Sequence, residues 1–189
     1  MKFRISAIVV VVVILSSAAF GFDGQREGFL IGFGTGVAYA SCEDELTTTS
    51  VGYYTRSHLE ETGFAVGSRF AIGAGLDETS VLALELNGVF LSGGESGVSI
   101  MQGYIGPVVS HYSRPTGKSL ITAAGLGLSF NKTDKNSQIH TDLGALLGLG
   151  VYLGAGCEAS IYGAFKLGLS GSGRVSHHHF GAFISAFGF

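Results

Sequence analysis

An all-β fold, an eight-stranded antiparallel up-and-down transmembrane β-barrel, is what this 189-residue sequence predicts. Three observations lead there. Successive segments alternate apolar residues with small or polar ones. The connections between them alternate in length. The chain also stops on Phe189 in the middle of such a segment, with Phe183, Ser185, Phe187 and Phe189 on one parity. An unpaired last strand is a sticky edge in water. In a closed barrel it pairs with the first strand, and a terminal Phe can sit at the lipid–water boundary.

Residues 1–21 read as a cleaved secretory signal peptide. Lys2 and Arg4 supply the positive start, Ile8 to Leu15 the apolar stretch, and Ala19-Phe20-Gly21 a small-x-small cleavage site. The apolar stretch is too short to span a bilayer, which takes about 20 residues. Residues 22–189 then form one domain by length, the barrel itself. Losing Lys2 and Arg4 moves the net charge from −3 to about −5. No basic stripe suggests nucleic acid. Charged residues make up 13% of the chain, yet beyond the signal no apolar run could form a helical span. Lipid-facing strands explain this, since only alternate residues meet lipid.

The strands follow in order. The first, 28–39, aims Phe29, Ile31, Phe33, Val37 and Tyr39 at lipid, with glycines and Ala38 opposite. The second, 64–76, aims Phe64, Val66, Phe70, Ile72 and Leu76 outward and Arg69 inward. The third, 80–91, sets Leu82, Leu84, Leu86 and Phe90 against Glu85 and Asn87. For the fourth, 98–112, the outward set is Val98, Ile100, Tyr104, Val108 and Tyr112, against Met101, Gly103, Pro107 and His111. That choice sends Gln102 to lipid and Pro107 into a ladder it cannot donate to, so a bulge is expected there. The fifth, 119–130, carries Leu120, Leu126, Leu128 and Phe130 outward. The sixth, 140–153, carries Leu143, Leu147, Leu149, Val151 and Leu153 against His140, Asp142 and Tyr152. The seventh, 157–169, carries Ile161, Phe165, Leu167 and Leu169 against Glu158, Tyr162 and Lys166. The eighth covers 178–189. Eight is the smallest even number that closes a membrane barrel.

Connections after strands 2, 4 and 6 are short (Asp77-Glu78-Thr79, 113–118, 154–156). Those after strands 1, 3, 5 and 7 are mostly longer (40–63, 92–97, 131–139, 170–177). Short periplasmic turns and longer extracellular loops are the pattern of outer-membrane barrels. It puts both termini in the periplasm. Aromatic girdles are then expected from Phe29, Tyr112, Phe187 and Phe189 at the periplasmic edge, and from Tyr39, Phe64, Phe90 and Phe130 at the outer edge. Cys42 and Cys157 fall at opposite ends, too far apart for a disulfide, which needs Cα atoms within about 7 Å. A soluble sandwich would show polar residues opposite the apolar ones. Here that parity is mostly Gly and Ala, which suits a narrow barrel interior.

Chemistry-bearing residues concentrate on the inward parity. Arg69, Glu85, Asp142, Glu158 and Lys166 form the expected lumen ion network, with His111, His140, Tyr152 and Tyr162 beside it. Arg69 and Glu85 lie equally far from the Asp77 turn, so they are expected directly opposite each other. Such a pair can be bidentate, and buried charges need partners. The bland reading is a structural plug that fixes register; the functional one is a gated proton or ion path. His111 and Ser113 have an H-x-S spacing similar to the outer-membrane lipid A deacylases, but no acidic residue follows to orient the His. The three residues His177, His178 and His179 alternate faces on a strand, so at most two could share a metal; no metal site and no cofactor is expected. Gly32 to Gly36 alternates with lipid-facing residues and precedes no helix, which excludes a phosphate loop. Loop 40–63, with its acidic residues and Tyr53 and Tyr54, is expected to be irregular and solvated, and is the candidate surface for an extracellular ligand.

Taken together, the signal, the eight alternating strands, the loop asymmetry and Phe189 resemble the small outer-membrane β-barrel superfamily, the OmpA/OmpX-type barrels, over nearly the whole mature chain. That resemblance implies residence in the outer membrane among lipid and lipopolysaccharide. It also implies insertion by the barrel-assembly machinery, which reads the last strand with Phe183, Phe187 and Phe189 as assembly signal. No peptidoglycan-binding domain follows the barrel, so cell-wall anchoring is not expected. The function expected is non-enzymatic, a structural or surface-interaction role through the extracellular loops. A narrow pore or small-ligand transporter is the alternative, and a lipid A-modifying hydrolase through His111 and Ser113 a further one.

Overall fold

In the computed structural model the chain is a closed barrel in which every strand is antiparallel to its sequence neighbours and β8 returns to β1. The structure describes residues 26, 28–50, 53–92, 97–134, 139–167 and 176–188. The predicted signal peptide and Phe189 lie outside the described residues. The strands are β1 (Phe29–Ser50), β2 (Tyr53–Asp77), β3 (Ser80–Leu91), β4 (Ile100–Tyr112), β5 (Ser119–Thr133), β6 (His140–Gly154), β7 (Cys157–Lys166) and β8 (Ser176–Gly188). No described helix is long and apolar enough to cross a membrane.

Alternation puts a continuous apolar band on the outside. Phe33, Val37, Val66, Leu84, Leu126, Leu149, Ile161 and Ile184 are all exposed there. A water-soluble barrel would lose roughly 25 cal/mol for each Å² of such surface left in solvent. At the rim away from the chain termini, Tyr39 and Phe64 stack edge-on at 5.9 Å between centroids, with Phe90 and Phe180 also facing out. At the opposite rim the expected girdle is corrected. Phe29 faces out, but Tyr112 and Phe187 point into the lumen.

Three further expectations are corrected. The inside and outside of β4 are exchanged: Met101, Ile105 and Val109 face out, while Val98, Ile100, Gln102, Tyr104, Val108 and Tyr112 are buried. The β3–β4 register runs unbroken from Ser80↔His111 to Leu91↔Ile100, so no bulge is needed. Pro107 faces outward, and the β4–β5 ladder skips Gly106 and Pro107 and resumes in the same register at Val108↔Gly125. His111, expected inside, is exposed on the outer face. Finally, the stretch expected as an irregular loop is ladder: β1 and β2 pair without interruption from Phe29↔Ala74 to Ser50↔Tyr53. The run Thr47-Thr48-Thr49 suits it, since Thr is at home in strands.

Candidate functional site

The lumen is filled in layers. Nearest the termini, Arg26 is buried ahead of β1, its guanidinium 4.0 Å from the centre of the Tyr112 ring and 4.8 Å from that of Tyr152. It donates to the carbonyls of Arg114 and Pro115 and, at 3.0 Å, to Ser119 Oγ. The chain turns back into the mouth at Gly28, whose φ of +101° a residue with a side chain would adopt only under strain. Sequence reasoning missed Arg26 because it precedes the first alternating residue. Its replacement by alanine removes charge-assisted bonds to three groups of the β4–β5 turn. We expect a loss of about 1.5–3 kcal/mol, read as a lowered urea midpoint of the refolded barrel in detergent.

Above this layer lies an ion cluster. Arg69 donates to both oxygens of Glu85, Nε to Oε2 at 2.9 Å and Nη2 to Oε1 at 2.6 Å. Its Nη1 donates to Glu158 Oε1 at 2.7 Å, which also accepts from the Tyr162 hydroxyl at 3.1 Å. The guanidinium stacks 4.2 Å from the Tyr162 ring centre and 5.0 Å from that of Phe187. The register differs from the expected one. Arg69 stands opposite Asn87 and Glu85 opposite Ala71, because the ladder is symmetric about Glu78 rather than Asp77. The two charged side chains therefore meet diagonally, within reach of long side chains across a strand pair. Lys166 and Asp142 form a separate pair at 3.1 Å, so the five residues expected as one network form two.

Aromatic side chains occupy the space that the inward glycines leave. A Cβ at Gly148 would collide with the Tyr162 ring, and one at Gly32 with Phe187. Phe183 sits where Gly67 and Gly181 leave room, edge-on to Tyr162 at 6.1 Å. Toward the hairpin end the lumen turns polar. Asn87 faces His179 Nε2 at 3.2 Å, Gln102 donates to the His178 carbonyl at 3.1 Å, and Asn131 donates to Cys42 Sγ at 3.1 Å. Ala38, Ala40, Cys42, Ala65, Val89, Leu91, Val98 and Ile100 pack as an apolar cap nearby.

The remaining candidates are dispersed. His111 and Ser113 are exposed at the end of β4. His177 and His179 point inward and His178 outward. Among the described residues no three His, Cys, Asp or Glu side chains are placed so as to hold a metal ion. Cys42 and Cys157 lie toward opposite rims, Cys42 beside His177 and Cys157 beside Ala186.

No family model matches the chain, and no curated protein sequence does. Solved structures do match. Neisserial surface protein A aligns with a TM-score of 0.56 at 13% identity, over 85% of this chain and 99% of that one. The attachment invasion locus protein Ail of Yersinia pestis aligns at 0.47 and 12%, over 85% and 99%. The outer membrane protein OprG from Pseudomonas aeruginosa aligns at 0.46 and 13%, over 87% and 96%. At that identity the first of these establishes a shared fold, the small eight-stranded antiparallel β-barrel.

Proposed function

We propose, from that shared fold and the apolar outer band, that this chain is a non-enzymatic integral outer-membrane barrel that works through its protruding β1–β2 hairpin. The carrying observation is the hairpin's pairing. β1 pairs with β8 only as far as Glu43↔Ser176, and β2 with β3 only as far as Val66↔Phe90. Beyond those points, among the described residues, residues 44–50 and 53–59 pair only with each other, and residues 60–65 pair only with β1. The ladder thus extends roughly 23 Å past the last β8 contact, at about 3.3 Å per residue. Each strand there keeps one edge of backbone donors and acceptors. Such edges recruit extended polypeptide by strand addition. In this reading the hairpin faces outside, both termini face the periplasm, and lipid and lipopolysaccharide surround the wall. The barrel-assembly machinery inserts the chain through its last strand.

The test is deletion of residues 46–57, which keeps the barrel pairs. Cells carrying the shortened form should lose attachment to immobilised unfolded polypeptide, such as reduced and alkylated albumin, while the barrel still shifts on an unboiled gel. Unchanged attachment would remove the hairpin from the function. The filled lumen favours a structural interior over a pore. In planar bilayers we expect no stepwise current from the wild-type barrel; regular steps would favour the narrow-pore reading instead.

A further inference from the structure

Where the polar layer meets the apolar cap, Cys42 has His177 of β8 and Glu61 of β2 as its cross-strand neighbours. All three side chains are buried on the inner face, His177 being 4% exposed. Directly opposed residues on one face hold their Cβ atoms about 4.5–5.5 Å apart, so a thiol and an imidazole are side by side. Neither ring nitrogen of His177 has a hydrogen-bond partner in the structure. A buried imidazole left so is costly, and a site that supplies an electron-pair acceptor removes the cost. The Cys42 sulfur already accepts from Asn131 Nδ2 at 3.1 Å. Lys166 follows Phe165, the last β7 residue paired with β8, and its charge is matched by Asp142 at 3.1 Å.

We infer that Cys42 and His177 form a two-ligand site for a soft monovalent d10 cation, of the class of Cu(I) and Ag(I). Thiolate selects soft ions, and imidazole suits copper. The low coordination number follows from the surroundings: Glu61 lies on the β2 side of Cys42, across β1 from His177, and among the described residues no three His, Cys, Asp or Glu side chains are placed so as to hold one metal ion. That excludes a tetrahedral zinc site and leaves ions content with two nearly linear ligands. On binding, the Cys42 thiol loses its proton to solvent, the sulfur and one imidazole nitrogen each donate a lone pair, and the ion keeps its oxidation state. The apolar cap of Val89, Leu91, Val98 and Ile100 shields the complex from water.

The test uses the full barrel purified from membranes in a Cys157→Ser background, so that Cys42 is the remaining thiol. Cu(I) is titrated anaerobically against bicinchoninate as competitor. One ion per barrel is expected, lost in Cys42→Ser, weakened at least tenfold in His177→Gln and unchanged in the outward-facing His178→Gln. No ion bound, or equal binding by His177→Gln, overturns the inference. X-ray absorption of the copper-loaded parent protein gives a check that needs no further substitution. One sulfur and one nitrogen at the copper support the site, and sulfur alone overturns it.

Discussion

Arg69→Met is expected to destabilise the barrel by about 3–5 kcal/mol, because it strands two buried carboxylates. Arg69, Glu85 and Glu158 side chains are each within 2% of complete burial. Removing the guanidinium leaves Glu85 and Glu158 with no cation in the same layer. The neutral triple variant Arg69→Met/Glu85→Gln/Glu158→Gln should regain much of the loss, since the penalty lies in uncompensated charge rather than in the missing bridge. Urea unfolding of the refolded proteins in detergent decides it. A triple variant no more stable than Arg69→Met would show that the bonds, and not the charge balance, hold the layer. Glu85→Ala, measured for both heat stability and bilayer current, then separates plug from ion path. A plug loses stability, whereas a path loses current at unchanged stability.

Phe183→Ala is expected to cost about 3–5 kcal/mol, the range for emptying a buried aromatic site. Phe183 is buried, stacks on Tyr162 and fills the space beside Gly67 and Gly181. A Cβ at Gly181 would lie 2.5 Å from its ring. Gly181→Ala should therefore destabilise the parent by about 1–3 kcal/mol through overpacking, and much less in the Phe183→Ala background. The double-mutant cycle measures that coupling directly. Additive effects would mean that the ring and the glycine do not share the same space.

Most of the wall was legible in the sequence because lipid imposes period 2 on whatever faces it. β1, β2, β3, β5, β6 and β7 present to the outside the described residues that their alternation assigns there; Leu169 lies outside the described residues. β4 misled because both of its parities are apolar. Its lumen side carries Val98 and Ile100, which join the apolar cap, and Tyr104 and Val108, which fill space that Gly125 of β5 leaves open. The usable signal was polar: Gln102 and Ser110 share a parity with Tyr104, and both are buried inside. The same logic hid Tyr112 and Phe187, aromatics that a girdle argument sends to lipid and that are buried inside. Arg69 and Glu85 were expected face to face because they are equidistant from Asp77, whereas the ladder is symmetric about Glu78 and sets them diagonally. The long hairpin was missed because residues 44–50 and 53–59 carry no sustained apolar alternation of the kind that marks a strand.

The seam between β1 and β8 carries a kinetic consequence. Ile31 pairs with Gly188 there, and the ladder continues to Glu43 and Ser176, joining nearly the two extremes of the chain. β1 and β2, by contrast, zip from a tight connection through near neighbours in sequence. Loop closure is slow when the joined segments are distant, so the hairpin is able to form early and the seam has to come last. Until it does, β1 carries an open edge along its whole paired length, and the time spent in that state governs how readily unclosed chains associate with one another.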